Sequence, residues 1–211
     1  MNVSSAEFDR SAPDLDSCPD ESLPEFAFIG RSNVGKSSLV NLLLGKRALA
    51  KVSATPGHTK MINFYDINRT WRLVDLPGYG FAEVARKNRE KFSQSVADYL
   101  ALRPNLTGIF LLIDSRHPPQ KLDLEFVHWL GSCPAPFALV FTKTDKASPT
   151  RVQSNITAFL ASLAGTFVTL PEVFTTSAVK RTGRTELLAV IERAIVAEQA
   201  QAKDGAGNPE S

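Results

Sequence analysis

Cysteine is scarce in this chain, with only Cys18 and Cys133 in 211 residues. No zinc-ligand spacing occurs, and two isolated thiols make no disulfide framework, which suits a reducing compartment. Long apolar runs are also missing. Stretches such as Ile109–Ile113 fall far short of the ~20 residues that a membrane-crossing helix needs, so no membrane partner is expected. The N-terminus lacks a positive segment followed by an apolar one, so no secretory signal is expected and the location should be cytoplasmic. There is no internal repeat, no low-complexity tract, and no aromatic platform on which RNA bases could stack. Apolar residues make up 43% and charged residues 22% of the chain. That balance belongs to a soluble globular protein, and the length suits one domain, with a monomer as the default.

What is present is concentrated in four short boxes. The first is Gly30-Arg31-Ser32-Asn33-Val34-Gly35-Lys36-Ser37, lying between the apolar run Phe26–Ile29 and a helical stretch from Ser38. Strand, glycine loop, Gly-Lys-Ser and helix are the context that confirms a P-loop. Its glycines let successive backbone N–H groups turn toward phosphate oxygens, and the following helix presents its positive end to the same anion. Lys36 is expected to reach the β- and γ-phosphates, and the Ser37 hydroxyl to ligate Mg²⁺.

The last box, Thr142-Lys143-Thr144-Asp145, follows the apolar strand Phe137–Phe141, at the strand end where open α/β sheets bind ligands. A carboxylate there accepts from both guanine N1–H and the 2-amino group, whereas adenine offers neither donor. An unpaired charge in such a site costs on the order of 1–3 kcal/mol or more, enough for strong selection of GTP and GDP and against an ATP-using P-loop kinase. The Lys143 stem can cover the base. Thr176-Ser177-Ala178, after the strand Val173–Thr175, fits a last base-binding turn whose backbone N–H meets guanine O6.

Two boxes between them read as switch loops. Asp75-Leu76-Pro77-Gly78 ends a strand, with Asp75 placed to hold Mg²⁺ through water and the Gly78 N–H placed to touch the γ-phosphate. Gly57-His58-Thr59-Lys60-Met61 precedes strand 62–67; Thr59 is a candidate second Mg²⁺ ligand, with Thr55 as its competitor. The expected catalytic set is Lys36, Asn33 and Gly78. A glutamine that would orient the attacking water, as in Ras-like enzymes, is replaced by Tyr79. No arginine stands at an obvious finger position, so intrinsic hydrolysis should be slow and wait on a partner or a cation. The Asn33 side chain could hold K⁺ near the phosphates, or could merely stabilise the loop.

Strand candidates at 26–29, 62–67, 70–75, 107–113, 137–141 and 171–176 alternate with helical stretches at 37–44, 83–102, 121–131, 149–163 and 185–199. This rhythm predicts an α/β fold: a six-stranded, mostly parallel sheet with helices on both faces and one antiparallel edge hairpin turning at Asn68-Arg69. Residues 1–22 hold six carboxylates against Arg10, a formal −5, which leaves +7 on residues 23–211 of the chain's +2. The segment reads as an acidic mobile arm, 23–200 as the folded domain, and 201–211 as a flexible tail. Basic clusters at Lys46, Arg47 and Lys51, at Arg86, Lys87, Arg89 and Lys91, and at Lys180, Arg181 and Arg184 are either solvated faces or the footprint of a polyanion such as RNA.

The stretches GRSNVGKSSLVN, TPGHTK, INFY, LVDLPGYGFAEV, IDSRHPPQKLDLEF and TKTDK closely resemble the EngB group of bacterial GTPases, of the TRAFAC class beside Era and EngA. DLPGYGFA and SRHPPQKLD are far more specific than the generic boxes, and the resemblance covers roughly residues 10–198. It implies a Ras-like fold, GTP and GDP binding with Mg²⁺ on Ser37 and Thr59, and a switch role in assembly of the large ribosomal subunit, with links to cell division and septation. A K⁺ ion held by the P-loop asparagine occurs in some related GTPases. The alternative is a module that senses GDP and GTP and docks a division protein, with hydrolysis incidental. His58 stands where the group often has Arg or Lys. Arg116-His117-Pro118 reads either as a loop anchor or as a partner contact.

Overall fold

The protein is seen as a computed structural model that describes residues 1–45, 61–79 and 86–206, with the side chains of 86–93 and 202–206 left outside the description. Strands β1 (Ala6–Ala12), β2 (Glu25–Gly30), β3 (Ile62–Ile67), β4 (Trp71–Asp75), β5 (Leu106–Asp114), β6 (Phe137–Thr142) and β7 (Val173–Thr175) form one sheet in the order β1-β3-β4-β2-β5-β6-β7. From β4 onward every pairing is parallel, while β1–β3 and β3–β4 are antiparallel. Helices α1 (Lys36–Leu44), α2 (Arg86–Leu102), α3 (Lys121–Leu130), α4 (Pro149–Ser162) and α5 (Arg184–Ala206) cover it.

The run Phe26–Ile29 reads as continuously apolar because both of its faces are covered, the pattern of a parallel sheet. On one side Phe26 and Phe28 pack with Leu39, Val40 and Leu43 of α1 and with Leu187, Leu188 and Ile191 of α5. On the other, Ala27 and Ile29 join Tyr99 of α2, Val127 of α3 and Phe159 of α4. β2 lies between β4 and β5, so the connections from β2 to β4 and from β4 to β5 run in opposite directions across the sheet. The C-terminal end of β2 is therefore the crevice where such sheets take ligands.

The hairpin forms where the sequence places it. Asn68 and Arg69 both adopt positive φ, 52° and 56°, the pair of left-handed residues that a two-residue hairpin turn requires. The Asn68 side chain then accepts from the backbone N–H groups of Ser4 at 2.9 Å and Ser5 at 3.0 Å.

The sheet has seven strands rather than six, because residues 6–12 of the expected mobile arm add an edge strand to β3, with a bulge between Phe8 and Arg10. Ala-Glu-Phe-Asp-Arg-Ser-Ala carries little apolar signal, since an edge strand gains its place through backbone pairing and buries only the small Ala6 and Ala12. The acids that follow are exposed, but Asp20 and Glu21 are tied to two buried arginines. Arg72 pairs with the Asp20 carbonyl and carboxylate, and Arg103 donates to the Pro19 carbonyl at 2.8 Å. Arg103 also grips Glu25 in two places, at 2.9 and 2.7 Å, and the Tyr99 hydroxyl joins the same carboxylate at 2.8 Å. Burial first and the Glu25 charge second push the Tyr99 phenol well above its ordinary range. Buried Glu25, with the exposed Asp20 and Glu21 beside it, thus balances Arg72 and Arg103 at the N-terminal end of the sheet, away from the crevice.

At the other terminus α5 runs on to Ala206, past the expected start of the tail at 201. No helix among the described residues is long and apolar enough to cross a membrane.

Candidate functional site

Four loops meet at the C-terminal end of the parallel strands. The first runs from Gly30 to α1. Asn33 takes left-handed φ of 62° and Gly35 takes 105° as the residue preceding α1, so the backbone curls back on itself before the helix begins. At Gly30 a side chain is excluded by contact, since a Cβ would lie 2.6 Å from the Leu112 carbonyl oxygen. Val34 points into the core and is 3% exposed. The Ser32 hydroxyl is buried without a hydrogen-bond partner among the described residues, an orphan donor in a loop whose shape suits an anion.

Asp75 ends β4 beside this loop, and Lys36 Nζ donates to its Oδ1. Both side chains are nearly covered, with 10% and 5% exposure. Leu76 is fully buried and anchors the DLPG loop in the core. Gly78 lies directly on the P-loop, for a Cβ there would sit 2.9 Å from the Gly30 oxygen. Tyr79 turns away toward α3: its hydroxyl donates to Asp123 at 2.8 Å, and its ring stacks on Phe126 with centroids 4.3 Å apart. Burial, and then the Asp123 charge and hydrogen bond, raise the Tyr79 phenol far above its usual range.

The third loop carries the base box. Thr142 is buried, and its hydroxyl donates to the Val34 carbonyl at 2.6 Å. It therefore supports the P-loop from below instead of facing a ligand. Lys143 adopts left-handed φ of 59°, which sends its stem across the P-loop. Its Nζ donates to the Asn33 carbonyl and, at 2.9 Å, to Asp114 Oδ2. The Cε lies 3.6 Å from where a Gly35 Cβ would stand. Burial would raise the Asp114 carboxyl, but hydrogen bonds from Arg116 and Lys143 outweigh it and hold the group well below the ordinary carboxylate range. Arg116 is thus a loop anchor, bidentate to Asp114 at 2.9 and 2.7 Å.

Asp145 sits one turn further, with Oδ1 accepting from Ser177 Oγ at 2.6 Å. That hydrogen bond is the main reason its carboxyl lies below the usual value, so it is charged at neutral pH. The backbone ties the two base loops together, Thr144 N–H to the Thr176 carbonyl at 3.2 Å. A carboxylate with one oxygen oriented by a serine can still accept two parallel N–H donors from a planar base.

The sequence-derived residues Gly30–Ser37, Met61, Asp75–Gly78, Thr142–Asp145 and Thr176–Ala178 all fall within the described chain, and these segments except Met61, which is exposed just before β3, supply the four loops. Gly57, His58, Thr59 and Lys60, and the rival Thr55, lie outside the described residues. So do the cations Lys46, Arg47 and Lys51. Of the third cluster, Arg184 is committed to the carbonyls of Leu42 and Leu43 at the end of α1, at 3.0–3.2 Å, while Lys180 and Arg181 are exposed. Sequence reasoning missed Ser177 as the orienting group for Asp145, Asp114 as the partner of Lys143, and Asp123 altogether.

Comparison with known proteins agrees with this geometry. Residues 25–143 match the family model described as 50S ribosome-binding GTPase. The probable GTP-binding protein EngB of Bacteroides fragilis strain YCH46 is 50% identical over 192 residues, covering 91% of this chain and 96% of that protein. The protein of the same name from Christiangramia forsetii is 46% identical over 192 residues, 91% of this chain and 97% of its own length. Among solved structures, a probable GTP-binding protein EngB superposes with TM-score 0.64 at 23% identity, over 82% of this chain and 99% of that one. Era in complex with MgGDPNP and nucleotides 1506–1542 of 16S ribosomal RNA gives TM-score 0.64 at 22% identity, over 82% of this chain and 56% of Era. By half-identity across nine-tenths of its length and a matched GTPase domain, the chain belongs to the EngB family of GTP-binding proteins and is a GTPase.

Proposed function

We propose that this GTPase is a slow, GTP-driven switch in assembly of the large ribosomal subunit, acting in the cytoplasm as a monomer and needed for normal cell division and septation. The observation that carries the switch reading is the convergence of the P-loop, the DLPG loop and the Asp145–Ser177 pair at one end of the sheet. In this reading the N–H groups of Gly30 to Ser37 cradle the phosphates, and the Ser32 hydroxyl supplies a further donor. Lys36 leaves Asp75 for the β- and γ-phosphates. Gly78 N–H meets the γ-phosphate, and Asp145 reads the guanine edge while the Lys143 stem covers its face. Ala178 N–H meets O6.

Mg²⁺ fits the donor set: the Ser37 hydroxyl, the Asp75 carboxylate and Thr59 are hard oxygen ligands, and this ion is held by few protein groups beside phosphate and water. When bound it supplies charge neutralisation between the phosphates. The protein's own contribution to hydrolysis is positioning. Tyr79 is committed to Asp123 and Phe126, and Arg31 Nε is likewise held by Asp123 at 2.8 Å. Neither orients a water nor reaches the phosphates from there, which supports slow intrinsic turnover.

Support for the ribosome as partner comes from the description of the matching family as 50S ribosome-binding, from the rRNA bound by Era, and from exposed Lys180 and Arg181 beside the base loop. Sedimentation of the purified protein with separated ribosomal subunits, in a non-hydrolysable GTP analogue, GDP or no nucleotide across a salt series, tests it. Association with the large subunit that depends on the analogue and survives physiological salt is expected. Binding that ignores the nucleotide, or vanishes at physiological salt, rules the reading out and leaves a GDP- and GTP-sensing module for a division protein as the better account.

The Asn33 side chain is exposed at the lip of the P-loop and can offer its oxygen to a monovalent cation. K⁺ is therefore expected to raise the GTPase rate several-fold over Na⁺ at equal ionic strength. Equal rates in the two buffers dispose of the cation.

A further inference from the structure

Asp123 closes the SRHPPQKLD stretch and touches neither nucleotide nor Mg²⁺ in the reading above. It lies in the first turn of α3, 1% exposed, where the helix dipole favours a carboxylate. One oxygen, Oδ1, accepts from two loops at once: Arg31 Nε of the P-loop at 2.8 Å and the Tyr79 hydroxyl, just past DLPG, at 2.8 Å. The other, Oδ2, is buried with no hydrogen-bond partner among the described residues. Arg31 and Tyr79 are themselves joined by an isolated parallel backbone bridge. Between them Gly78 rests on the P-loop, its α-carbon facing the Gly30 oxygen and the Ser32 nitrogen so closely that a Cβ would meet them at 2.9 and 3.4 Å. The Tyr79 ring is clamped a second time by its stack on Phe126, one helical turn after Asp123 on the same face.

We propose that Asp123 is a positioning residue that clips the DLPG loop to the P-loop and so fixes the Gly78 N–H where a γ-phosphate is read, making it a determinant of GTP-over-GDP discrimination. The inference rests on the reading of Gly78 as a γ-phosphate contact. A donor one residue from a doubly held tyrosine needs no ordering when the γ-phosphate arrives. With the clip gone, each binding of GTP must order the loop first, and affinity falls by the fraction of time the loop is correctly placed. GDP has no γ-phosphate, makes no use of Gly78, and does not feel the loss. A residue that merely held the fold together would weaken both nucleotides alike.

The test compares dissociation constants of GDP and a non-hydrolysable GTP analogue, by calorimetry on the full chain, for Asp123→Asn, Tyr79→Phe and Gly78→Ala. Asp123→Asn keeps the shape of the side chain but removes the charge that Arg31 faces. Tyr79→Phe keeps the stack on Phe126 and removes only the hydroxyl. Asp123→Asn is expected to weaken the analogue about 5- to 10-fold, the size of a modest coupling between contacts, with GDP changed less than about twofold. Tyr79→Phe shifts the analogue in the same direction by less. Equal loss for both nucleotides, or no loss for either, overturns the clip. Should Asp123→Asn fail to fold, Tyr79→Phe decides, and an unchanged analogue affinity overturns the clip there too. Gly78→Ala separates the two layers of the argument. If it spares the analogue, the γ-phosphate reading itself is wrong; if it selectively weakens the analogue while both clip variants do not, only the clip is wrong.

Discussion

Lys36→Ala is expected to weaken GDP and GTP by at least ~10²- to 10³-fold, which abolishes binding at micromolar nucleotide. Loss of a charged donor to phosphate removes on the order of 1.5–3 kcal/mol for each contact made, and each ~1.4 kcal/mol is a factor of ten. The structure adds a second effect. Lys36 Nζ is paired with Asp75, and both side chains are nearly covered. Removing one partner of a covered pair leaves the other as an uncompensated charge, a loss of about 3–5 kcal/mol when burial is complete and less at a crevice that water can enter. The variant should therefore melt at a lower temperature than the parent without nucleotide, and its melting temperature should not respond to Mg²⁺ and GDP. The parent should gain about 2.7 kcal/mol of stability at a hundredfold excess of ligand over Kd. A thermal melt at several GDP concentrations reads both effects in one experiment. If the variant still shifts with GDP as the parent does, Lys36 is not a phosphate ligand.

The pair also shows why part of the site was legible and part was not. The P-loop, the Asn68-Arg69 turn and the base box are local: each is fixed by a few consecutive residues whose backbone needs are written in their types, and each forms where its residues predict. Positive φ at Asn33, Gly35, Asn68 and Lys143 is a property of short segments. What escaped the sequence joins residues far apart in the chain. Asp123 meets Arg31 from 92 positions away and Tyr79 from 44, and Arg103 meets Glu25 from 78. Nothing in the composition of the IDSRHPPQKLDLEF stretch distinguishes Asp123, buried among loops, from Glu125, exposed on the next turn. The edge strand β1 was missed for another reason. A strand whose five central residues, Phe8 included, are exposed has no buried apolar face to announce it, and its partner is chosen by the open backbone of β3. The same long-range pairing ties residues 19–21 to Arg72 and Arg103, through the Pro19 and Asp20 carbonyls and the Asp20 and Glu21 carboxylates.

Asp145→Asn carries the other large effect, a reversal of base preference. Asp145 is held by Ser177 Oγ at 2.6 Å on one oxygen, so its orientation does not depend on the ligand. Asparagine has the same shape, and its carbonyl oxygen can keep the Ser177 hydrogen bond while its amide replaces the other oxygen. Guanine then presents its 2-amino donor to another donor, and two charge-assisted bonds become one neutral bond and one clash. Xanthine carries oxygen at that position and accepts from the new amide, while its N1–H still donates to the retained carbonyl. GTP affinity is expected to fall ~10²- to 10³-fold, at about 1.5–3 kcal/mol for each charge-assisted bond lost, and XTP should overtake it. Ser177→Ala gives the same loss a milder form, because the carboxylate stays but is no longer aimed; GTP should weaken about tenfold with no gain for XTP. The measurement is competition of GTP, XTP and ATP against a fluorescent GDP. If Asp145→Asn still prefers GTP over XTP, the guanine edge is read elsewhere. If it binds neither while keeping its fold, the carboxylate's charge serves the loop rather than the base, and Thr144 and Thr176, already hydrogen-bonded across the two base loops at 3.1 Å, become the groups to examine for recognition.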